Sequence, residues 1–131
     1  MKTPFNVSFR ARPENVRLAR DAVAAIAASL GAPPGVIDDV RLCVSEAATN
    51  TVRHAYGDAD GALWIKVDER DEELTVVVCD DGGGLEGFRR EGELGHGLRI
   101  MGQLASRFTV TSAPRAGTQV RMVFPLRPRM R

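Results

Sequence analysis

The sequence predicts an α+β fold, a two-layer sandwich in which helices cover one face of a mixed, mostly antiparallel sheet. Three observations lead there. Segments such as Phe5 to Ala11 and Ala62 to Arg70 alternate apolar and polar residues with the two-residue period of half-buried strands. Other stretches repeat apolar residues every three or four positions, as amphipathic helices do. The order along the chain is strand, helix, helix, hairpin, helix, hairpin, which suits helices gathered on one face of the sheet.

The first strand sets Phe5, Val7 and Phe9 against Asn6, Ser8 and Arg10. Pro13 then suits the first turn of a helix, where its missing N–H has no partner to lose. That helix is expected to run to about Leu30, with Val16, Ala19, Val23, Ile26, Ala27 and Leu30 inward. Gly31 ends it, and Pro33 and Pro34 forbid its continuation. The second helix carries Val36, Val40, Val44, Ala47 and Thr51 toward a core, and the cluster Gly57 to Gly61 is a turn. Two strands follow, Ala62 to Arg70 and Glu73 to Asp81, joined by a tight acidic turn. The second is almost wholly apolar, so it is expected to be central and covered on both faces. Leu85 to Leu94 is charged, glycine-punctuated and weakly patterned, and reads as a mobile loop. Gly95-His96-Gly97 is expected to open a short helix that buries Leu98, Met101, Leu104 and Ala105. The chain closes with a hairpin turned at Pro114 to Gly117, whose second strand alternates Val120, Met122 and Phe124.

Composition narrows the class. At 131 residues the chain has the size of one domain able to bury a single core. It is 44% hydrophobic and 27% charged, close to the globular average, so neither disorder nor a membrane location is expected. No apolar run approaches the ~20 residues of a spanning helix, and the first residues lack the apolar core of a secretory signal. A cytoplasmic protein is the expectation. A net charge of +1 argues against direct nucleic-acid binding through a broad basic field. Cys43 and Cys79 lack metal-ligand spacing and read as small buried hydrophobes.

The chemistry concentrates in three places. Glu46, Asn50 and His54 are spaced by four within the second helix, which places them on one face. A carboxylate there can accept a hydroxyl proton, and an amide oxygen is a neutral ligand for a hard cation such as Mg²⁺. At the end of the apolar strand stands Asp80-Asp81-Gly82-Gly83-Gly84. An ionised aspartate can receive the exocyclic amine of adenine, while Gly82 and Gly84 let the backbone approach a flat base. Third, Gly95-His96-Gly97 stands at a helix start, where free N–H groups and the helix dipole bind phosphate without a lysine. Residues 82 to 87 also match G-x-G-x-x-G, but no helical pattern follows and two aspartates sit beside them, so a dinucleotide fingerprint is excluded on context. A P-loop lysine is absent.

Together these residues resemble the Bergerat-fold ATPases, the superfamily of gyrase, MutL and the histidine kinases, and most closely the small bacterial anti-sigma-factor serine kinases. Glu46-Ala47-Ala48-Thr49-Asn50 with His54-Ala55-Tyr56 looks like that family's N box. Asp80-Asp81-Gly82-Gly83-Gly84 looks like its D-x-G-x-G box, Gly95-His96-Gly97-Leu98 like its second glycine box, and Gly117-Thr118 like its final G-T element. The resemblance spans nearly the whole chain and implies ATP and Mg²⁺ as cofactors. By it, Asn50 coordinates Mg²⁺, Asp80 binds the adenine amine, and Glu46 is the general base or orients the nucleophile. Gly82 and Gly84 line the base pocket, Gly95, Gly97 and Leu98 belong to the phosphate cradle, and Thr118 supports Asp80 or a water on adenine. No catalytic role falls to His54.

The sequence departs from the family in the acidic loop residues Glu86, Glu91 and Glu93, which leaves Arg89, Arg90 or Arg99 to supply positive charge. The function the resemblance implies is twofold: sequestering a sigma factor, and phosphorylating a serine on a STAS-fold anti-anti-sigma antagonist. The family also implies a homodimer. The alternative is a noncatalytic ATP-gated switch that traps a partner protein. A histidine-kinase fragment fits less well, because the first helix contains no histidine.

Overall fold

The computed structural model describes residues 5–57, 59–83, 94–112 and 116–127, with backbone alone at 94–96. Among them are five strands, β1 (Phe5–Arg10), β2 (Ala62–Arg70), β3 (Glu73–Asp80), β4 (Arg107–Ser112) and β5 (Thr118–Pro125). The helices are α1 (Glu14–Ser29), α2 (Pro34–Asn50) and α3 (Leu94–Leu104), and a wide π turn, Thr51–Ala55, continues α2.

The sheet runs in the order β1-β2-β3-β5-β4. Each of its pairings is antiparallel, so the parallel component of the expected mixed sheet is absent among the described residues. The reason lies in the connections. The α1–α2 pair leads the chain out and back, so that β2 starts where β1 ended; the amide of Ala11 donates to the Gly61 carbonyl at 2.8 Å across that junction. At the other side β4 is laid outermost, and β5 folds back between it and β3.

Local chemistry sets the helix limits. Gly31 takes φ +89° just past α1. The amide of Ala32 donates to the Ala27 carbonyl at 3.1 Å and that of Gly31 to Ala28 at 3.0 Å, the paired bonds of a Schellman end. Pro33 is then extended, ψ 154°, and Pro34 occupies the first turn of α2. The β2–β3 hairpin turns on Asp71 and Glu72, with φ 54° and 63°. Two consecutive positive φ values match the right-handed twist of the strands.

Leu63, Ile65 and Val67 of β2, Leu74, Val76 and Val78 of β3, and Val120, Met122 and Phe124 of β5 form the inner face of the sheet. Against it pack Ala19, Val23 and Ala27 of α1, Val40, Val44 and Ala47 of α2, and Met101 of α3. Val16, Ile26, Leu30, Val36, Leu98 and Leu104 border this core half-buried, and Ala105 is buried. Strand β3 is central, as expected, but it is not covered on both faces. Its outward Thr75 and Val77 remain half-buried, because the helices lie on one side and the outward residues are shielded mainly by sheet neighbours such as Trp64, opposite Cys79. Cys43 and Cys79 are free and buried, as the sequence suggests.

Helix α3 begins at Leu94, so Gly95-His96-Gly97 lies inside its first turn and not ahead of it. Of the loop expected at Leu85 to Leu94, residues 85–93 lie outside the described residues and Leu94 belongs to α3; of the turn expected at Pro114 to Gly117, residues 114 and 115 lie outside them. No described helix is long and apolar enough to cross a membrane.

Candidate functional site

Helix α2 buries Val40, Cys43, Val44, Ala47 and Ala48, which turns Glu46 and Asn50 toward the rim of the core as partly exposed polar groups. The first turn of α3 comes directly against them. A Cβ added to Gly97 would stand 2.9 Å from Glu46 Oε2 and 3.3 Å from Asn50 Nδ2. Glu46 and Asn50 therefore converge on one backbone position, and any side chain there would have to displace the Glu46 carboxylate. Carboxylate, amide and the N-terminal turn of a helix share this end of the site. Free N–H groups of such a turn favour an anion, and the amide oxygen suits a hard cation.

The second end is built on Asp80, the last residue of β3, which is 5% exposed. Its Oδ1 accepts the Gly82 amide at 3.0 Å, the backbone of Thr118 also donates to the carboxylate, and Thr51 Oγ1 lies 3.4 Å from Oδ2, a long contact. Thr51 follows Asn50 in the chain, so the aspartate is tethered beside the amide at the end of α2. Burial pushes the Asp80 carboxyl above its ordinary range, and Asp81 adds to the rise; the bonds from Gly82, Thr51 and Thr118 pull the other way. A buried carboxylate with capacity to accept another hydrogen bond is suited to an amine-bearing ring.

The π turn joins the two ends. Widening at 51–55 means that the four-residue stacking of Glu46 and Asn50 does not extend to His54, which is buried at 8% exposure. It also carries the Ala55 carbonyl to the glycine loop, where the Gly83 amide donates to it at 2.8 Å. A Cβ on Gly82 would fall 2.1 Å from that carbonyl oxygen, so residue 82 must be glycine for the loop to lie on the turn. On the opposite side Gly117 takes φ +82°, and a Cβ there would be 2.0 Å from the Asp80 carbonyl oxygen. The G-T element thus places its glycine against the Asp80 backbone and its Thr118 opposite Asp80 in the β3–β5 register.

Of the residues singled out from the sequence, Glu46, Asn50 and Gly97 meet at one end, and Asp80, Gly82 and Thr118 at the other. Thr118 is 2% exposed. Leu98 is half-buried and packs on the core next to Gly97, and Gly95 falls in the first turn of α3. Gly84, Arg89 and Arg90 lie outside the described residues. Arg99 is exposed on α3. Sequence reasoning missed Thr51, which reads as a core residue by periodicity, and gave Gly117 and Tyr56 only as parts of motifs, the G-T element and the HAY string, with no role of their own. A cavity of about 340 Å³ lies behind Asp80 and Asp81, lined also by Trp64, Cys79, Thr111 and Gln119. Gly117 and Thr118 line it as well, so it adjoins the Asp80 end of the site and lies apart from Glu46, Asn50 and Gly97.

Burial favours the protonated form of both thiols. Burial, with Asp39 and Glu46 adding to it, pushes Cys43 up to about 12, and burial likewise raises Cys79.

An acid-bearing strand end, a helix carrying Glu and Asn, and a glycine-opened helix on an α/β sandwich define a nucleotide-binding ATPase domain. The chain belongs to the histidine kinase-like ATPase domain family, whose model matches residues 9–124. Among its relatives, the anti-sigma F factor of Caldanaerobacter subterraneus subsp. tengcongensis is 33% identical over 129 residues, covering 90% of each chain. That of Clostridium acetobutylicum is 32% identical over 133 residues, covering 93% of each. The fold also matches the crystal structure of the RsbU and RsbW domains of Rv1364c from Mycobacterium tuberculosis, with a TM-score of 0.77 at 21% identity. That match covers 95% of this chain and 32% of the longer one. Membership of an ATPase domain family implies ATP as a ligand of the chain.

Proposed function

We propose that this chain is an anti-sigma factor that binds ATP with Mg²⁺, holds a sigma factor, and phosphorylates a serine of a STAS-type anti-anti-sigma antagonist. The observation that carries the reading is the convergence of Glu46 and Asn50 on Gly97, with the buried Asp80 carboxylate in contact with Thr51, the residue after Asn50. Relatives named anti-sigma F factor at about a third identity support the sigma-binding half.

In this reading Asp80, ionised, accepts the exocyclic amine of adenine, with Thr118 and Gly82 holding its carboxylate in place. Gly82 and Gly84 let the ring approach the backbone. Gly95 and Gly97, with Leu98 anchoring their turn to the core, present α3 amides to the phosphates. Asn50 is the protein's ligand to Mg²⁺. Among the described residues no group of three or more His, Cys, Asp or Glu side chains stands ready for a metal, which suits an ion that takes most of its ligands from phosphate and water. The bound ion supplies charge neutralisation on the triphosphate. Glu46 accepts the proton of the serine hydroxyl as its oxygen bonds the γ-phosphorus, the bond to the bridging oxygen breaks, and ADP leaves. As in the family, the active form is a cytoplasmic homodimer.

Incubation with radiolabelled ATP, Mg²⁺ and candidate STAS proteins tests the kinase half. Label on a partner serine is expected, and ATP binding with no serine label on any of them would contradict it. The acidic sequence of 85–94 favours a second reading, an ATP-gated switch without transfer. Glu46→Ala separates the two. A kinase loses labelling and keeps ATP, whereas in the switch the substitution leaves ATP-dependent partner capture, the whole activity, intact.

A further inference from the structure

Tyr56 stands just beyond the π turn, outside the residues assigned above to nucleotide contact. Its ring lies on Gly61, where an added Cβ would come within 2.3 Å of two ring carbons. Its hydroxyl reaches the loop that follows Asp80. Oη accepts the Asp81 amide at 3.1 Å and lies 2.7 Å from Asp81 Oδ1, and it also bonds the Ala62 carbonyl at the start of β2. One phenol thus ties the end of α2, the start of β2 and the residue after Asp80. The Gly83 amide on the Ala55 carbonyl, at 2.8 Å, is a second link between the turn and the glycine loop.

We propose that Tyr56 is a positioning residue for adenine recognition: its hydroxyl fixes the Asp80–Gly82 backbone against the end of α2 and so aims the Asp80 carboxylate. The inference rests on the nucleotide reading of the site and adds a residue that sets base selectivity without touching the base. A carboxylate discriminates adenine only if its free lone pair points at the amine. Asp80 takes its direction from the Gly82 amide and from the neighbouring peptide that Tyr56 holds. Burial pushes the phenol up to about 12, so it remains a protonated donor through the physiological range.

The test compares ATP with inosine triphosphate, which carries an oxygen in place of the amine, by calorimetric titration of the full chain. Wild type is expected to prefer ATP. Tyr56→Phe keeps the ring on Gly61 and removes the bonds; it should weaken ATP by about three- to tenfold, the contribution of one hydrogen bond, while leaving inosine triphosphate nearly unchanged. Gly61→Ala displaces the ring with its hydroxyl intact and should lower the ATP preference in the same direction. Thermal melts accompany each titration. Unaltered preference, equal weakening of both nucleotides, or a Tyr56→Phe chain that no longer folds would each overturn the proposal, the last two by showing general scaffolding. If wild type binds no ATP, the nucleotide reading itself fails, which is a different result from a wild type that discriminates and a Tyr56→Phe variant that does so equally.

Discussion

At the scale of the residue, the site is governed by where a side chain cannot be. Gly97 faces Glu46 and Asn50 so closely that a methyl group there would displace the Glu46 carboxylate. Gly97→Ala is expected to push the two side chains apart and weaken ATP while leaving the melt within a few degrees, read by titration and calorimetry side by side. Gly117→Ala differs, because the residue holds φ +82° against the Asp80 carbonyl; backbone strain alone should cost about 1–3 kcal/mol of stability in a denaturant melt. Asp80 gives a prediction with a sign. Its carboxyl is raised by burial above the ordinary carboxylate range, so the folded chain binds this proton more tightly than the unfolded one. Stability of the ligand-free protein therefore falls as pH rises from the ordinary carboxylate value through the raised one. Asp80→Asn should remove that slope and raise the melting temperature at neutral pH, while ATP affinity drops by about ten- to a hundredfold, the range for a hydrogen bond to a charged group.

At the scale of the element, the strands and the ends of α1 were legible because each has a local cause. Alternation placed β1, β2 and β5, and Gly31 with the two prolines separated α1 from α2. The π turn was not legible. Thr51 to Ala55 carries a pattern that an ordinary α-helix also satisfies, and the extra residue per turn is imposed by the loop it must meet, through Ala55 and Tyr56. The same holds for the start of α3. Gly95-His96-Gly97 reads as the opening of a helix that follows it, yet the helix already begins at Leu94 and carries Gly97 against Glu46 and Asn50 of α2. Sidedness of β3 was misread for a different reason: an unbroken apolar run records burial by sheet neighbours as well as by helices. Deleting Val52, one residue of the π turn, should return α2 to an uninterrupted helix and misplace Ala55. The expected outcome is a chain with its far-ultraviolet dichroism retained and its ATP affinity lost.

At the scale of the whole molecule, one sheet face is covered by three helices and the site occupies the end of the seam between them. The core at that seam includes Met101 of α3, fully buried beside the residues that carry Gly97. Met101→Ala should cost about 2–5 kcal/mol in a denaturant melt and loosen the α3 turn from α2, so that phosphate affinity falls with stability. The motifs were legible together since they lie in the family's order along the chain; their meeting in space depends on long-range register, such as Asp80 opposite Thr118, which no single segment encodes. The central claim is that base and phosphate are held at two separable ends of this seam. Titration of ATP with and without Mg²⁺ into wild type, Asn50→Ala and Asp80→Asn tests it most directly. The account predicts that Mg²⁺ strengthens binding in wild type and Asp80→Asn, that Asn50→Ala loses this increment, and that Asp80→Asn is weaker throughout. A Mg²⁺ increment unchanged in Asn50→Ala, or ATP affinity unchanged in Asp80→Asn, would contradict it.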